Sequence, residues 1–119
     1  PGGQLDLLRA RRQPGSTLKP FVYQLLFESG EGPATVLDDV RLPMTSMGGA
    51  LFEAENFDGV DRGPVRAREA LASSLNLAAL DAARRVGVTP ILARLRDLGL
   101  SGVRDAAPWV RRWCSAALM

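Results

Sequence analysis

Apolar side chains recur at helical spacing in the segment 16–29, STLKPFVYQLLFES. Four of them return every three or four positions: Leu18, Val22, Leu25 and Leu26. We expect Gly30 to end this helix, because glycine readily adopts the left-handed backbone found at helix C-termini. Pro20 fits a helix only in its first turn, where its missing N–H has no partner in any case. The pattern therefore predicts that Ser16 lies at the helix N-terminus.

Three further helices are predicted after residue 63, at 64–73, 77–86 and 90–98. We expect Pro64 to be the first helical residue of the first one. Gly87 closes the second, and the third has Thr89 as its N-cap and Gly99 at its end. The turn-rich stretch 30–63 shows no strong periodicity and is predicted to be one long ordered loop. Loops of that length inside a compact domain are more often functional than incidental.

Composition narrows the class of protein. A chain of 119 residues is long enough for one compact domain with a modest core. It has no histidine and one cysteine, Cys114, which excludes a disulfide within the chain and leaves no framework for zinc. No apolar run approaches the roughly 18 residues that a membrane span needs. We therefore predict no metal site and no membrane span in this chain.

The charge pattern argues against nucleic-acid binding. The net charge is only +2, and the arginines are scattered, often beside acidic residues. Such mixed charges are typical of solvated helix faces, whereas a phosphate-binding surface carries a basic stripe with interleaved aromatic residues.

Lys19 is the only lysine of the chain; the other 14 of its 15 basic residues are arginine. Arginine stays protonated, whereas a buried lysine can lose its proton. Ser16 and Lys19 stand at i and i+3, so on a helix their side chains can meet, and a neutral amine could take the serine proton. We expect the two side chains within hydrogen-bond reach. The alternative is ordinary, since serine is a common N-cap and lysine a common surface residue.

Two segments carry a resemblance to a known family. RQPGSTLKPF, residues 12–21, resembles the active-serine segment of the penicillin-binding proteins, which use a Ser-x-x-Lys motif. ENFDGVDRGPVRAREALASSLN, residues 55–76, resembles the second conserved block of the class A members, most of all the 1C type. The two serines, Ser16 and Ser74, are 74 − 16 = 58 residues apart, a separation familiar from such enzymes. The resemblance extends from residue 1 to about 102.

The resemblance implies an α+β fold, namely the mostly helical part of a serine β-lactamase/D,D-peptidase-like transpeptidase domain with its central sheet largely missing. It implies that Ser16 is the acylated nucleophile and Lys19 its general base. Ser74 would pass the proton toward the leaving group, and Asn76 would orient the donor peptide or the β-lactam side chain. Without the resemblance, Ser74 could equally be an N-cap and Asn76 a turn residue. We expect both to lie in a turn between two helices.

The same resemblance implies the partners and the location. These would be peptidoglycan stem peptides ending in D-Ala-D-Ala and β-lactams, with no metal or organic cofactor. The parent protein would act in the periplasm, at the cell-envelope face of the inner membrane.

The chain departs from the family in its third motif. The family has Lys-Thr-Gly on a sheet strand, and this chain has no second lysine. We therefore interpret residues 1–102 as a partial transpeptidase domain and residues 103–119 as an atypical tail. The hypothesis for this tail is that a frameshift in the gene produced it. On that view the chain is inactive alone, and six apolar residues lose the partners that would cover them: Leu25, Leu26, Leu77, Leu80, Ile91 and Leu95. The alternatives are an inert helical fragment and, with less support, a serine β-lactamase.

Overall fold

The computed structural model describes residues 15–45 and 51–100. A short 3-10 helix, Gly15–Leu18, leads into α1, and four strands and three further helices follow. In chain order the elements are α1 Lys19–Glu28, β1 Val36–Asp39, β2 Pro43–Thr45, β3 Leu51–Glu53, β4 Gly63–Arg66, α2 Ala67–Ala72, α3 Asn76–Val86 and α4 Val88–Asp97. This mixture of helices with small antiparallel sheets confirms the predicted α+β class.

Helix α1 begins at Lys19, three residues after the predicted start at Ser16, which lies in the preceding 3-10 helix, and it ends where its sequence indicates. Pro20 lies in its first turn, where no backbone hydrogen bond is lost. At the other end the chain leaves the helix at Ser29, whose N–H still bonds to carbonyls of the last turn. Gly30 follows with φ 104°, a conformation that suits glycine.

The prediction of one long loop over 30–63 is wrong. β1 pairs with β4 in an antiparallel register that places Leu37 opposite Val65, and β2 pairs with β3 in a second two-stranded sheet. These strands are three or four residues long, too short for a periodic signal, and the pairing that stabilises them joins distant segments. Pro64 lies in β4 and does not begin a helix. Proline is tolerated there because, among the described residues, β4 is an edge strand with β1 as its single neighbour.

Gly87 separates α3 from α4, as predicted, with φ 90°. The start of α4 was predicted wrongly by two residues. The helix begins at Val88, directly after Gly87, so that Thr89 lies inside its first turn and supplies no side-chain cap.

The core joins all four helices and β1. Five of the six residues expected to lose their partners are buried, and Leu25 is partly buried. That expectation is wrong because α1, α3 and α4 cover one another and α3 also packs on β1. Small side chains allow this close approach: Ala78, Ala79, Ala82 and Ala83 on α3 are all buried.

None of the helices within the described ranges is long and apolar enough to cross a membrane. The proposed boundary at residue 102 and the tail 103–119 lie outside the described residues.

Candidate functional site

The buried amine of Lys19 is the centre of a polar cluster. Lys19 is the first residue of α1 and only 2% exposed. Its Nζ donates to the carbonyl oxygen of Ser74 at 2.6 Å, to Ser74 Oγ at 3.1 Å and to Asn76 Oδ1 at 2.7 Å. A protonated lysine has three N–H donors and no acceptor. The three acceptors therefore match the ammonium form of Lys19.

Burial, in contrast, favours the neutral form of the same amine. Removing the ammonium group from water lowers the pKa of Lys19 below its usual value. The cluster thus combines a lysine that loses its proton more readily than usual with neighbours that hold the protonated form in one position. Such an amine is suited to exchange a proton with a nearby hydroxyl.

Ser74 lies in the connection between α2 and α3. Its φ of 52° is the one positive value at a non-glycine position among the described residues. The N–H of Ser74 bonds to the carbonyl of Leu71 and the N–H of Leu75 to that of Ala70, both at 3.0 Å. This pair of bonds defines a Schellman motif, in which the left-handed position normally holds glycine or asparagine. The turn directs both oxygens of Ser74 toward Lys19.

The predicted break between two helices is confirmed at Ser74, but Asn76, which was also expected in the turn, is the first residue of α3. Its side-chain amide is fixed at both ends. Oδ1 accepts from Lys19, and Nδ2 donates to the carbonyl of Glu55 at 2.9 Å. The Asn76 amide therefore has one defined orientation.

Ser16 lies in the 3-10 helix before α1, and its side chain is exposed. Within the described ranges, no side-chain hydrogen bond joins Ser16 to Lys19, Ser74 or Asn76. The expected Ser16–Lys19 hydrogen bond is therefore absent, because all three donors of the ammonium group already have other acceptors. The structure brings together three of the four predicted residues, and the fourth stands three positions before Lys19 on an accessible turn.

Two buried polar residues beside this cluster were not predicted as site residues. Asn56 is 3% exposed and lies within the segment 55–76. The resemblance of that segment to a known block implied roles for Ser74 and Asn76 and none for Asn56. Asp39 is fully buried at the end of β1 and accepts a hydrogen bond from Asn56 Nδ2 at 2.7 Å. Asp39 could not have been found from the sequence, since it lies in the stretch predicted to be a loop.

The described residues contain no group of three or more His, Cys, Asp or Glu side chains placed to hold a metal ion. The polar groups of the site are an amine, a hydroxyl and amides.

No protein-family model matches the chain. Individual proteins do. The chain is 39% identical over 99 residues to penicillin-binding protein 1C of Escherichia coli and 36% identical over 94 residues to penicillin-binding protein 1A of Neisseria gonorrhoeae. Penicillin-binding protein 1A of Neisseria lactamica is 35% identical over 93 residues. Over this region, the chain is related to the penicillin-binding proteins.

The relationship covers most of this chain and a small part of the relatives. The alignment with the 1C protein spans 82% of the chain and 12% of that protein, and the alignment with the gonococcal 1A protein spans 77% and 12%. The chain thus corresponds to about an eighth of a penicillin-binding protein.

Proposed function

We propose that this chain carries the serine acylation site of a peptidoglycan D,D-transpeptidase of the penicillin-binding type. The observation that carries the proposal is the position of one buried amine. Lys19, from the Ser-x-x-Lys segment, bonds to Ser74 and Asn76, which lie 55 and 57 residues further along the chain. Two segments that each resemble an active-site motif thus meet at a group suited to proton transfer.

In the proposed reaction, Ser16 Oγ attacks the carbonyl carbon of the D-Ala-D-Ala peptide bond. The neutral amine of Lys19 takes the hydroxyl proton as the C–O bond forms. The backbone N–H of Ser16 stabilises the oxyanion that develops. The C–N bond then breaks, and the proton held by Lys19 passes through Ser74 Oγ to the departing nitrogen of D-alanine. An amine of a second stem peptide finally attacks the ester carbonyl. The new C–N bond forms, the ester C–O bond breaks, and the proton of the amine passes through Lys19 to Ser16 Oγ.

A β-lactam would follow the first half of this sequence. Its ring C–N bond breaks and the nitrogen takes a proton, yet the leaving group stays attached to the acyl group. The ester on Ser16 then persists, which makes a penicillin a suitable probe of the site.

Lys19 must release one proton before it can act as the base. In the ammonium form, its three N–H groups point to Ser74 and Asn76. After deprotonation one of these bonds is lost, and the free lone pair can accept the proton of Ser16. The lowered pKa of Lys19 makes this step less costly at neutral pH.

The finer assignment is to the 1C type, acting at the periplasmic face of the cell envelope on peptidoglycan stem peptides. It is supported by the ENFDG and GPV sequences of residues 55–65 and by the 39% identity to the Escherichia coli 1C protein.

Labelling with a fluorescent penicillin tests the proposal. The chain is expected to be inactive alone as a transpeptidase, but acylation is only the first half of that reaction and uses residues that the chain contains. We therefore expect slow, stoichiometric labelling of the full chain that Ser16→Ala abolishes. In the family, the Lys-Thr-Gly strand supplies the second N–H of the oxyanion hole, and this chain has no such motif. Loss of one oxyanion-hole donor typically slows such reactions by about 10²–10³-fold, so long incubation is needed. Ser73→Ala is the matched control, because Ser73 is exposed and adjacent to the site residue Ser74. Equal labelling of the wild type and Ser16→Ala would exclude Ser16 as the nucleophile, and rapid turnover of the penicillin would indicate a β-lactamase.

A further inference from the structure

Helix α3 is capped at its N-terminus by side chains from two other parts of the chain. The first N–H groups of a helix have no partner within it, and no side chain at the N-cap position of α3 supplies one. Asn56 Oδ1 accepts from the N–H groups of Asn76 at 2.7 Å and Leu77 at 3.2 Å. Asp39 Oδ1 accepts from the N–H of Ala78 at 3.2 Å. Three consecutive N–H groups are thus bound by two buried side chains.

Asn56 uses its whole hydrogen-bonding capacity in this arrangement. Its Oδ1 accepts the two bonds from α3, while its Nδ2 donates to Asp39 Oδ2 at 2.7 Å and to the carbonyl of Val60 at 2.9 Å. A primary amide offers two donors and two acceptor lone pairs, so no position remains free. The orientation of the Asn56 amide is therefore fixed.

The buried carboxylate of Asp39 accepts hydrogen bonds at both of its oxygens. Besides Asn56 and Ala78, it accepts from the backbone N–H of Arg62 at 3.1 Å, and the guanidinium of Arg62 lies 4.0 Å away. A negative charge at a helix N-terminus is favoured by the helix dipole. Asp39 thus holds Asn56 on one side and α3 on the other.

This cap ends directly at the candidate site. Asn76 donates its backbone N–H to Asn56 and its side-chain Nδ2 to the carbonyl of Glu55, the neighbour of Asn56. These two bonds leave the Asn76 Oδ1 facing Lys19 Nζ. A change at Asn56 would release both the start of α3 and the segment that orients the Asn76 amide.

We propose that Asn56, supported by Asp39, is a positioning residue that holds Asn76 and thereby the amine of Lys19 in place. This inference deepens the proposed function, and the relevance of Asn56 to catalysis rests on that proposed function. The geometric part can be tested without any reaction.

The single lysine makes that test direct. A chain labelled with ¹⁵N-lysine gives one side-chain amine signal, that of Lys19. Hydrogen-bonded and buried, the ammonium protons should exchange slowly with water. Asn56→Leu, which is similar in size, removes all four bonds of the amide. We expect it to release Asn76 and so weaken the hydrogen bond from the charged Lys19 amine to Asn76 Oδ1. Exchange of the Lys19 ammonium protons should then accelerate by about tenfold or more.

Two further variants keep the test decisive. Asp61→Asn is the matched control, because Asp61 lies in the same loop and its side chain binds Arg41, which has no bond to Asn56, Asp39 or α3 among the described residues. It should leave the Lys19 signal unchanged. If Asn56→Leu does not fold, Asp39→Asn takes its place, with a smaller acceleration expected, since its neutral amide can still accept from Ala78. A folded Asn56→Leu, or in its absence a folded Asp39→Asn, with unchanged Lys19 exchange would overturn the inference.

Penicillin labelling separates this inference from the proposed function. If the wild type is not labelled but Lys19 exchange responds to Asn56→Leu, the proposed function fails and the positioning role stands. If the wild type is labelled, Asn56→Leu should slow labelling of the folded protein, and combining it with Asn76→Ala should add little. Full additivity of the two effects would show that Asn56 does not act through Asn76.

Discussion

Lys19 is the residue in which sequence and structure agree most closely. Its isolation among arginines predicted an amine able to lose its proton, and the structure buries that amine against Ser74 and Asn76. An arginine at this position would carry a guanidinium that remains protonated at any working pH. The hydrogen bonds could survive such a change in part, but the capacity to accept a proton would not.

The pKa of Lys19 leads to a prediction about pH. Burial lowers the pKa of the folded chain's Lys19, whereas the unfolded chain has the ordinary lysine pKa of about 10.4. Between these two values the unfolded state binds more protons, so the free energy of unfolding contributed by this group rises with pH. Titration of the lysine ¹⁵Nζ signal should give a midpoint below that of the same chain in urea.

Lys19→Met is the matched control for the stability effect. Urea unfolding at several pH values below 10 should show a rise with pH in the wild type that is reduced in this variant. In the folded chain the pKa of Tyr23 is raised by burial and by the nearby carboxylates of Asp39 and Asp81. Staying below pH 10 limits ionisation of this tyrosine in the unfolded chain, which would add a second pH dependence to the stability. A Lys19 midpoint at or above the ordinary value would contradict the proposed role of the amine as a base.

The polar partners of α3 show where prediction at the residue scale ends. Ser74 and Asn76 were recognisable because they belong to the segment 55–76, which resembles a known conserved block. Asp39 was not, because its partners Asn56 and Ala78 lie 17 and 39 residues away and only the folded chain brings them together. A buried carboxylate cannot be told from a surface one when its neighbours are unknown.

At the scale of elements, the helices were predictable and the strands were not. The boundary between α3 and α4 follows from Gly87, and the end of α1 from Gly30, since both positions need a positive φ. The strands β1 and β4 are four residues each, and pairing with each other is what defines them. For β4 the local sequence GPVR suggested a helix start, and tertiary pairing overrode that preference.

The α2–α3 turn provides a prediction at this scale. Ser74 occupies a left-handed position that costs a residue with a Cβ about 1–2 kcal/mol. Ser74→Gly and Ser74→Ala both remove the hydroxyl that bonds to Lys19, but only glycine relieves the backbone. We expect Ser74→Gly to be more stable than Ser74→Ala by about 1 kcal/mol in urea unfolding. Both variants should label more slowly with penicillin than the wild type.

Equal stability of the two Ser74 variants would contradict the left-handed conformation. The same pair at Ser73, where φ is −88°, is the control and should show alanine equal to or better than glycine.

At the scale of the whole molecule, the core is more complete than the resemblance to part of a larger domain suggested. Apolar residues of α1, α3 and α4 cover one another, so that Leu26 and Leu95 are fully buried. The periodicity of apolar residues predicted the correct faces of these helices. It did not reveal that these faces pack on each other, because the order in which helices meet is a property of the fold.

This core predicts cooperative unfolding of the full chain. Leu26→Ala should lower the free energy of unfolding by about 2–5 kcal/mol, because it leaves a cavity among α1 and its neighbours. Leu42→Ala is the control, since Leu42 is about half exposed, at 49%, and should cost less than about 1 kcal/mol. Amide exchange should show the strongest protection in α1 and α3. A broad transition with equal effects of both variants would indicate a loosely packed chain.

The central claim is that Ser16 is acylated with Lys19 as its base, and peptide mapping after incubation with penicillin tests it most directly. We predict one penicilloyl group per chain, attached to Ser16, whose rate of formation rises with pH through the lowered pKa of Lys19. Lys19→Arg, which keeps the charge but cannot act as the base, should reduce that rate by about 10²–10⁴-fold. A penicilloyl group on another residue, or on Ser16 at an unchanged rate in a folded Lys19→Arg variant, would contradict the claim.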